Sequence, residues 1–162
     1  MKWITLVSFI VALASMPASA QELFPHPLKG VKLWKGGVIS HVSKFDSDRS
    51  RITSEWVSQQ MLLAVKANKF PVSKDHEYGK LFALVHVIEV KNNSGGVFAY
   101  AWSVQMKYYL DNYSTDPSMK RVHWDGTNSL GTSSDRGRLK TTLRDVIRDQ
   151  VDEFCAAYYT AN

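Results

Sequence analysis

From Phe98 to Leu110 large apolar or aromatic residues alternate with small or polar ones. Phe98, Tyr100, Trp102, Val104, Met106, Tyr108 and Leu110 fall on one side, Ala99, Ala101, Ser103, Gln105 and Lys107 on the other. Successive side chains of a strand point to opposite faces, so this period of two predicts a long strand with one face turned to a core. Just before it, Lys80 to Lys91 is rich in Val, Leu, Ile and Phe with few polar interruptions, which predicts a strand buried on both faces. Asn92 to Gly96 then reads as the hairpin loop. Nearer the start, Val31–Trp34 and Val38–Val42 are split by Gly36-Gly37 and read as one bent strand. Pro71 cannot donate to a ladder and confines Phe70–Val72 to a short edge piece. Lys120 to Trp124 adds a further strand.

Two segments carry the helical period instead. From Arg51 to about Ala67, Ile52, Trp56, Gln59 or Gln60, Leu63 and Ala67 recur three or four apart and predict the core-facing stripe of a helix. The polar run Asp46 to Ser50 offers N-cap oxygens, and Asn68 a C-terminal stop. In the last third, Leu139, Leu143, Val146, Ile147, Val151, Phe154 and Tyr158 form a second stripe, with Lys140, Arg144, Asp145, Arg148, Asp149 and Asp152 on the wet side. Cys155, beside Phe154, reads as a small core residue. The order predicts an α+β fold: a mostly antiparallel sheet of four or five strands with both helices packed on one face.

The N-terminus changes the picture of where this domain works. Met1-Lys2, the apolar run Trp3 to Ala14 and the small-x-small Ala18-Ser19-Ala20 predict a signal peptide over residues 1–20, cleaved before Gln21. Phe24-Pro25-His26-Pro27 marks residues 21–29 as an extended arm, which leaves residues 30–162 as a single α+β domain. No membrane-spanning segment is expected after cleavage. Cys155 is the single cysteine, so no internal disulfide can form. Small exported eukaryotic domains are often disulfide-dense, so the expected compartment is a bacterial periplasm or the medium. The net charge of +5, from 20 basic and 15 acidic residues, is mild. The basic residues are scattered rather than gathered in a stripe, and nucleic acid is not an expected partner.

Candidate chemistry is sparse. The five histidines show no metal-ligand spacing and have no cysteine beside them, so neither metal nor other cofactor is predicted. There is no G-x-S-x-G elbow. His86 inside an apolar strand reads as a structural histidine. His123, at a strand end beside Asp125 and a glycine, is the most site-like of the five. The passage Asp125 to Ser134 is rich in Gly, Ser and Thr and leads into the final helix, with Arg136 and Arg138 in its first turn. Backbone amides, hydroxyls and guanidiniums at a helix start suit an anion. His123, Asp125, Asn128, Ser133, Ser134, Arg136 and Arg138 are accordingly the candidate ligand-binding residues. A capped, solvated loop is the plainer reading of the same passage.

Three further stretches carry a resemblance: Pro27-Leu28-Lys29-Gly30-Val31, the aromatic strand to Leu110, and Arg144-Asp145-Val146-Ile147 through Val151-Asp152-Glu153-Phe154 to Tyr159 and Asn162. Together they resemble a group of uncharacterised bacterial exported proteins. In layout the chain is also similar to small envelope domains such as the TolB amino-terminal domain and the curli-secretion lipoproteins. The likeness implies a fold and a compartment and no activity. The leading expectation is a soluble periplasmic or secreted protein that binds a protein or a small anionic or polar ligand. A small secreted hydrolase using the His123/Asp125 region is the first alternative, and a secreted inhibitor or toxin the second.

Overall fold

In the computed structural model the described residues are 28–45, 50–73, 79–109 and 122–162. The expected signal peptide, most of the arm, the polar run 46–49 and the strand start at Lys120 lie outside them. The elements are β1 (Leu33–Phe45), α1 (Ser54–Ala67), β2 (Val72–Ser73), β3 (Gly79–Lys91), β4 (Val97–Tyr109), β5 (Val122–Asp125), β6 (Ser129–Ser133) and α2 (Arg136–Ala161). The sheet order is β2-β1-β3-β4-β5, with β6 also on β4. This is the expected α+β arrangement.

The sheet is mixed. β3 pairs antiparallel with β4 from Lys80↔Tyr109 to Lys91↔Val97, but β1 runs parallel to both β3 and β2. Parallel neighbours need a crossover, and α1 lies within the one joining β1 to β3. The two pieces around Gly36-Gly37 do form one irregular strand: the register jumps between Leu33↔Gly79 and Val38↔Leu81. The start of α1 is tied to this strand, because Val42 N donates to Ser54 Oγ (3.1 Å) and Ser40 Oγ to Ser54 O (2.6 Å).

One face of the sheet meets the helices. Leu81, Ala83, Val85 and Val87 of β3 and Tyr100, Trp102, Val104, Met106 and Tyr108 of β4 are buried there. The expectation that β3 is buried on both faces is corrected: Phe82, Leu84, His86 and Val90 are only half-buried and Ile88 is exposed. Both helices take the same side, so no described element covers the other. The alternation of β4 holds from Tyr100 to Tyr108 but not at Phe98, which is exposed where the ladder shifts register near the hairpin.

α1 buries a different stripe from the one its spacing suggested. Val57, Met61, Ala64 and Val65 are buried, while Leu63 is 61% exposed. The two stripes are one residue, about 100°, out of step on the helix, and both are apolar enough to serve. The cap is Thr53, whose Oγ1 accepts from Trp56 N (3.1 Å). Asn68 ends the helix as expected, and its Nδ2 donates to Ala64 O (3.0 Å) and to Asp152 Oδ1 of α2 (2.6 Å).

α2 buries Leu139, Leu143, Ile147, Val151, Phe154 and Cys155 as its period predicts, together with Gln150. Burial, seconded by the charge of Asp152, pushes the Cys155 thiol up to about 12. A thiol so protonated and enclosed is a poor nucleophile at neutral pH. Native protein is therefore expected to resist a thiol-exchange reagent until denaturant is added; rapid labelling of the native state would place Cys155 outside the core.

Candidate functional site

The passage between β5 and α2 was expected to be a loop, yet much of it is strand. β5 and β6 share the edge of β4 opposite β3: Asp125 pairs with Lys107, and Ser129 to Ser133 pair with Val104 to Tyr100. Three residues separate the two strands. Gln150 reaches up from α2 into this gap, its Nε2 meeting Thr127 O (2.7 Å), Ser129 Oγ (2.9 Å) and Val104 O (3.1 Å). A Cβ at Gly126 would lie 2.5 Å from the Trp124 ring, so only glycine fits the bend.

This edge carries the sequence-predicted site residues apart from one another. Asp125 and Ser133 pair with β4 residues seven apart, roughly 23 Å at about 3.3 Å per residue. Asp125 is held at one end by Lys107 Nζ (3.3 Å) and Gln105 Nε2 (3.2 Å). His123 lies in β5, and its side chain is outside the described residues. Asn128 is exposed between the strands, and Ser133 is buried opposite Tyr100. Ser134 Oγ donates to Asp135 Oδ2 (3.3 Å). Asp135 caps α2: its Oδ1 accepts from Arg138 N (2.9 Å), and Arg138 Nε approaches its other oxygen (3.6 Å). That backbone N–H, ahead of the smaller contributions of Ser134 and the Arg138 charge, holds the Asp135 carboxyl below its usual range. Arg138 is thus engaged with the cap of its own helix.

Arg136 belongs to a different grouping. A cavity of about 270 Å³ opens beside the first turn of α2, lined by Ser50, Arg51, Arg136, Gly137 and Lys140. Arg136 and Lys140 are one helical turn apart on α2, whereas Arg51 comes from the chain entering α1 and takes a left-handed φ of 52°. Ser50 is buried, and its Oγ accepts from Ile52 N (3.3 Å). Lys140 Nζ sits 5.4 Å from the centre of the Trp56 ring, a cation–π distance. No ion pair joins these three cations to a carboxylate among the described residues. Three cations around one cavity repel each other, and an entering anion relieves that repulsion through charge-assisted hydrogen bonds. Lys140 had a signal in the sequence, the four-residue spacing from Arg136. Arg51 had none, because only the side-by-side packing of the two helices brings it there.

Among the described residues no group of three or more His, Cys, Asp and Glu is placed to hold a metal ion. No helix among them is long and apolar enough to cross a membrane. No family model matches the sequence, and no curated protein matches it. Solved structures with a similar chain path include the rare lipoprotein B of Shewanella oneidensis, at a TM-score of 0.39 and 7% identity, over 75% of this chain and 93% of that one. A minor lipoprotein of Acinetobacter baumannii aligns at a TM-score of 0.39 and 12% identity, over 79% of this chain and 90% of that one.

Proposed function

We propose that the protein is an exported, non-catalytic binding domain of the bacterial periplasm or medium, and that its ligand is anionic. The observation that carries the reading is the convergence of Arg51, Arg136 and Lys140 on one cavity with no described carboxylate paired to them. A hydrolase built on His123, Asp125 and the hydroxyls of 127–134 has less support, since Asp125 and Ser133 stand at opposite ends of the edge strands.

The test is a titration of phosphate, sulfate and an acidic sugar into isotope-labelled protein at low salt, where screening is weakest. Amide shifts are expected at residues 50–51 and 136–140, and they should vanish in R51Q/R136Q/K140Q. The variant's melting behaviour should stay close to wild type, because exposed charges contribute roughly 0–1 kcal/mol each to folding. Absence of any shift at these amides with all three anions would overturn the reading.

A further inference from the structure

The stripe of α1 that the helical period marked as core does not face the sheet. Its later positions instead line an open groove on the outer side of the helical layer, a cavity of about 250 Å³ walled by Gln60, Leu63, Ala64 and Ala67 of α1 and by Arg144 and Arg148 of α2. The α1 wall is largely apolar, and the Leu63 side chain stands clear on it. The α2 wall is cationic. Arg144 and Arg148 continue the four-residue row that starts at Arg136 and Lys140, and neither forms an ion pair with a described carboxylate. The aspartates that follow them in sequence, Asp145 and Asp149, are each rotated about 100° from the preceding arginine around the helix. One turn beyond Arg148, Asp152 is bound to Asn68 Nδ2 and ends the row.

We propose that this groove docks an acidic amphipathic helix of a partner protein, its apolar residues on Leu63, Ala64 and Ala67 and its carboxylates on Arg144 and Arg148. The charge complement is fixed by the two arginines. Their spacing, about 6 Å along the axis, is that of two glutamates four apart on a helix lying alongside. Ala64 and Ala67 are small, so a third helix can approach closely and insert side chains three or four apart, as in other helix-in-groove recognition. The proposal is independent of the anion cavity at the start of α2, because the two share no lining residue.

The probe is a synthetic helical peptide with leucines at i, i+3, i+4 and i+7 flanked by glutamates four apart. Its controls are the same peptide with lysine for each glutamate, and phosphatidylglycerol vesicles. On isotope-labelled protein, the acidic peptide should shift amides at 60–67 and 144–148 and leave 50–51 and 136–140 unmoved. R144E/R148E should lose affinity by about tenfold or more and gain binding of the lysine peptide, a reversal that mere loss of fold cannot produce. Leu63→Asp should weaken the acidic peptide while the protein still melts cooperatively. The proposal is overturned if the acidic peptide moves none of these amides, if wild type binds both peptides equally, or if only vesicles move them. Failure of the phosphate titration leaves these outcomes untouched.

Discussion

Phe154→Ala should lower the unfolding free energy by about 3–5 kcal/mol, the usual range for deleting a buried aromatic from a packed core. Phe154 has no exposed surface. Its ring centre lies 5.1 Å from that of Phe70, 5.4 Å from Tyr108 and 5.2 Å from Trp124, the last edge-on. These partners come from the chain after α1, from β4 and from β5, so the cavity left behind would be lined by three segments that cannot all move inward together. Domains have roughly 5–15 kcal/mol of stability in total, and the loss would consume a large part of it. Urea unfolding followed by tryptophan fluorescence measures it; a shift of less than about 1 kcal/mol would show that this end of α2 is not packed on the sheet. Phe154→Leu, which keeps more of the volume, should cost markedly less.

Gln150→Leu should cost roughly 2–4 kcal/mol although it keeps the size of the side chain. Gln150 Nε2 has two hydrogens and three acceptors, two of them backbone carbonyls, in the gap between β5 and β6. Leucine takes the amide donor away from both carbonyls, the Val104 one buried and the Thr127 one part-buried, at about 1–3 kcal/mol for each group so stranded. Gln150→Glu puts an acceptor against acceptors. Its carboxyl should favour the protonated form, so the folded-state pKa rises above the unfolded value and the deficit shrinks as pH falls through it. A denaturant melt at neutral and at acidic pH separates the two variants. Equal stability of wild type and Gln150→Leu would mean that water replaces the amide in the gap.

The elements most legible in the sequence are those whose pattern is set by a single burial surface. The alternation of β4 from Tyr100 to Tyr108 and the stripe of α2 from Leu139 to Phe154 each have one face to hide and no competing register. In α1 two apolar stripes differ by one position, and the choice between them depends on which faces the sheet and which the neighbouring helix. β6 was unreadable because Ser129-Leu130-Gly131-Thr132-Ser133 has no apolar alternation. Its pairing comes from β4 on one side and the Gln150 amide beneath. The direction of β1 was equally hidden, since parallel pairing depends on the crossover and leaves no mark on the strand itself. Of the candidate site residues, Arg136 was placed beside Arg138 by nearness in sequence. On a helix its neighbour is Lys140, and the cavity they share needs Arg51 from the chain leading into the other helix.

The polar ties of α2 are unevenly distributed along it. Its second half is held by Gln150 at the sheet edge and by Asn68 to Asp152, and Tyr159 Oη donates to Asn68 O (2.8 Å). At its end, Asn162 Oδ1 accepts from Gly30 N (2.7 Å) and Nδ2 donates to Leu28 O (3.0 Å). The first half rests on the sheet through Leu139, Leu143 and Ile147, and beyond that has its own cap and the Lys140 ammonium over the Trp56 ring. Breathing of the helix should therefore be directional: the turns from Arg136 to Arg148 are expected to exchange their amide hydrogens sooner than those from Gln150 to Tyr159, as in a hinged lever fixed at its far end. The cationic row occupies the free arm of that lever.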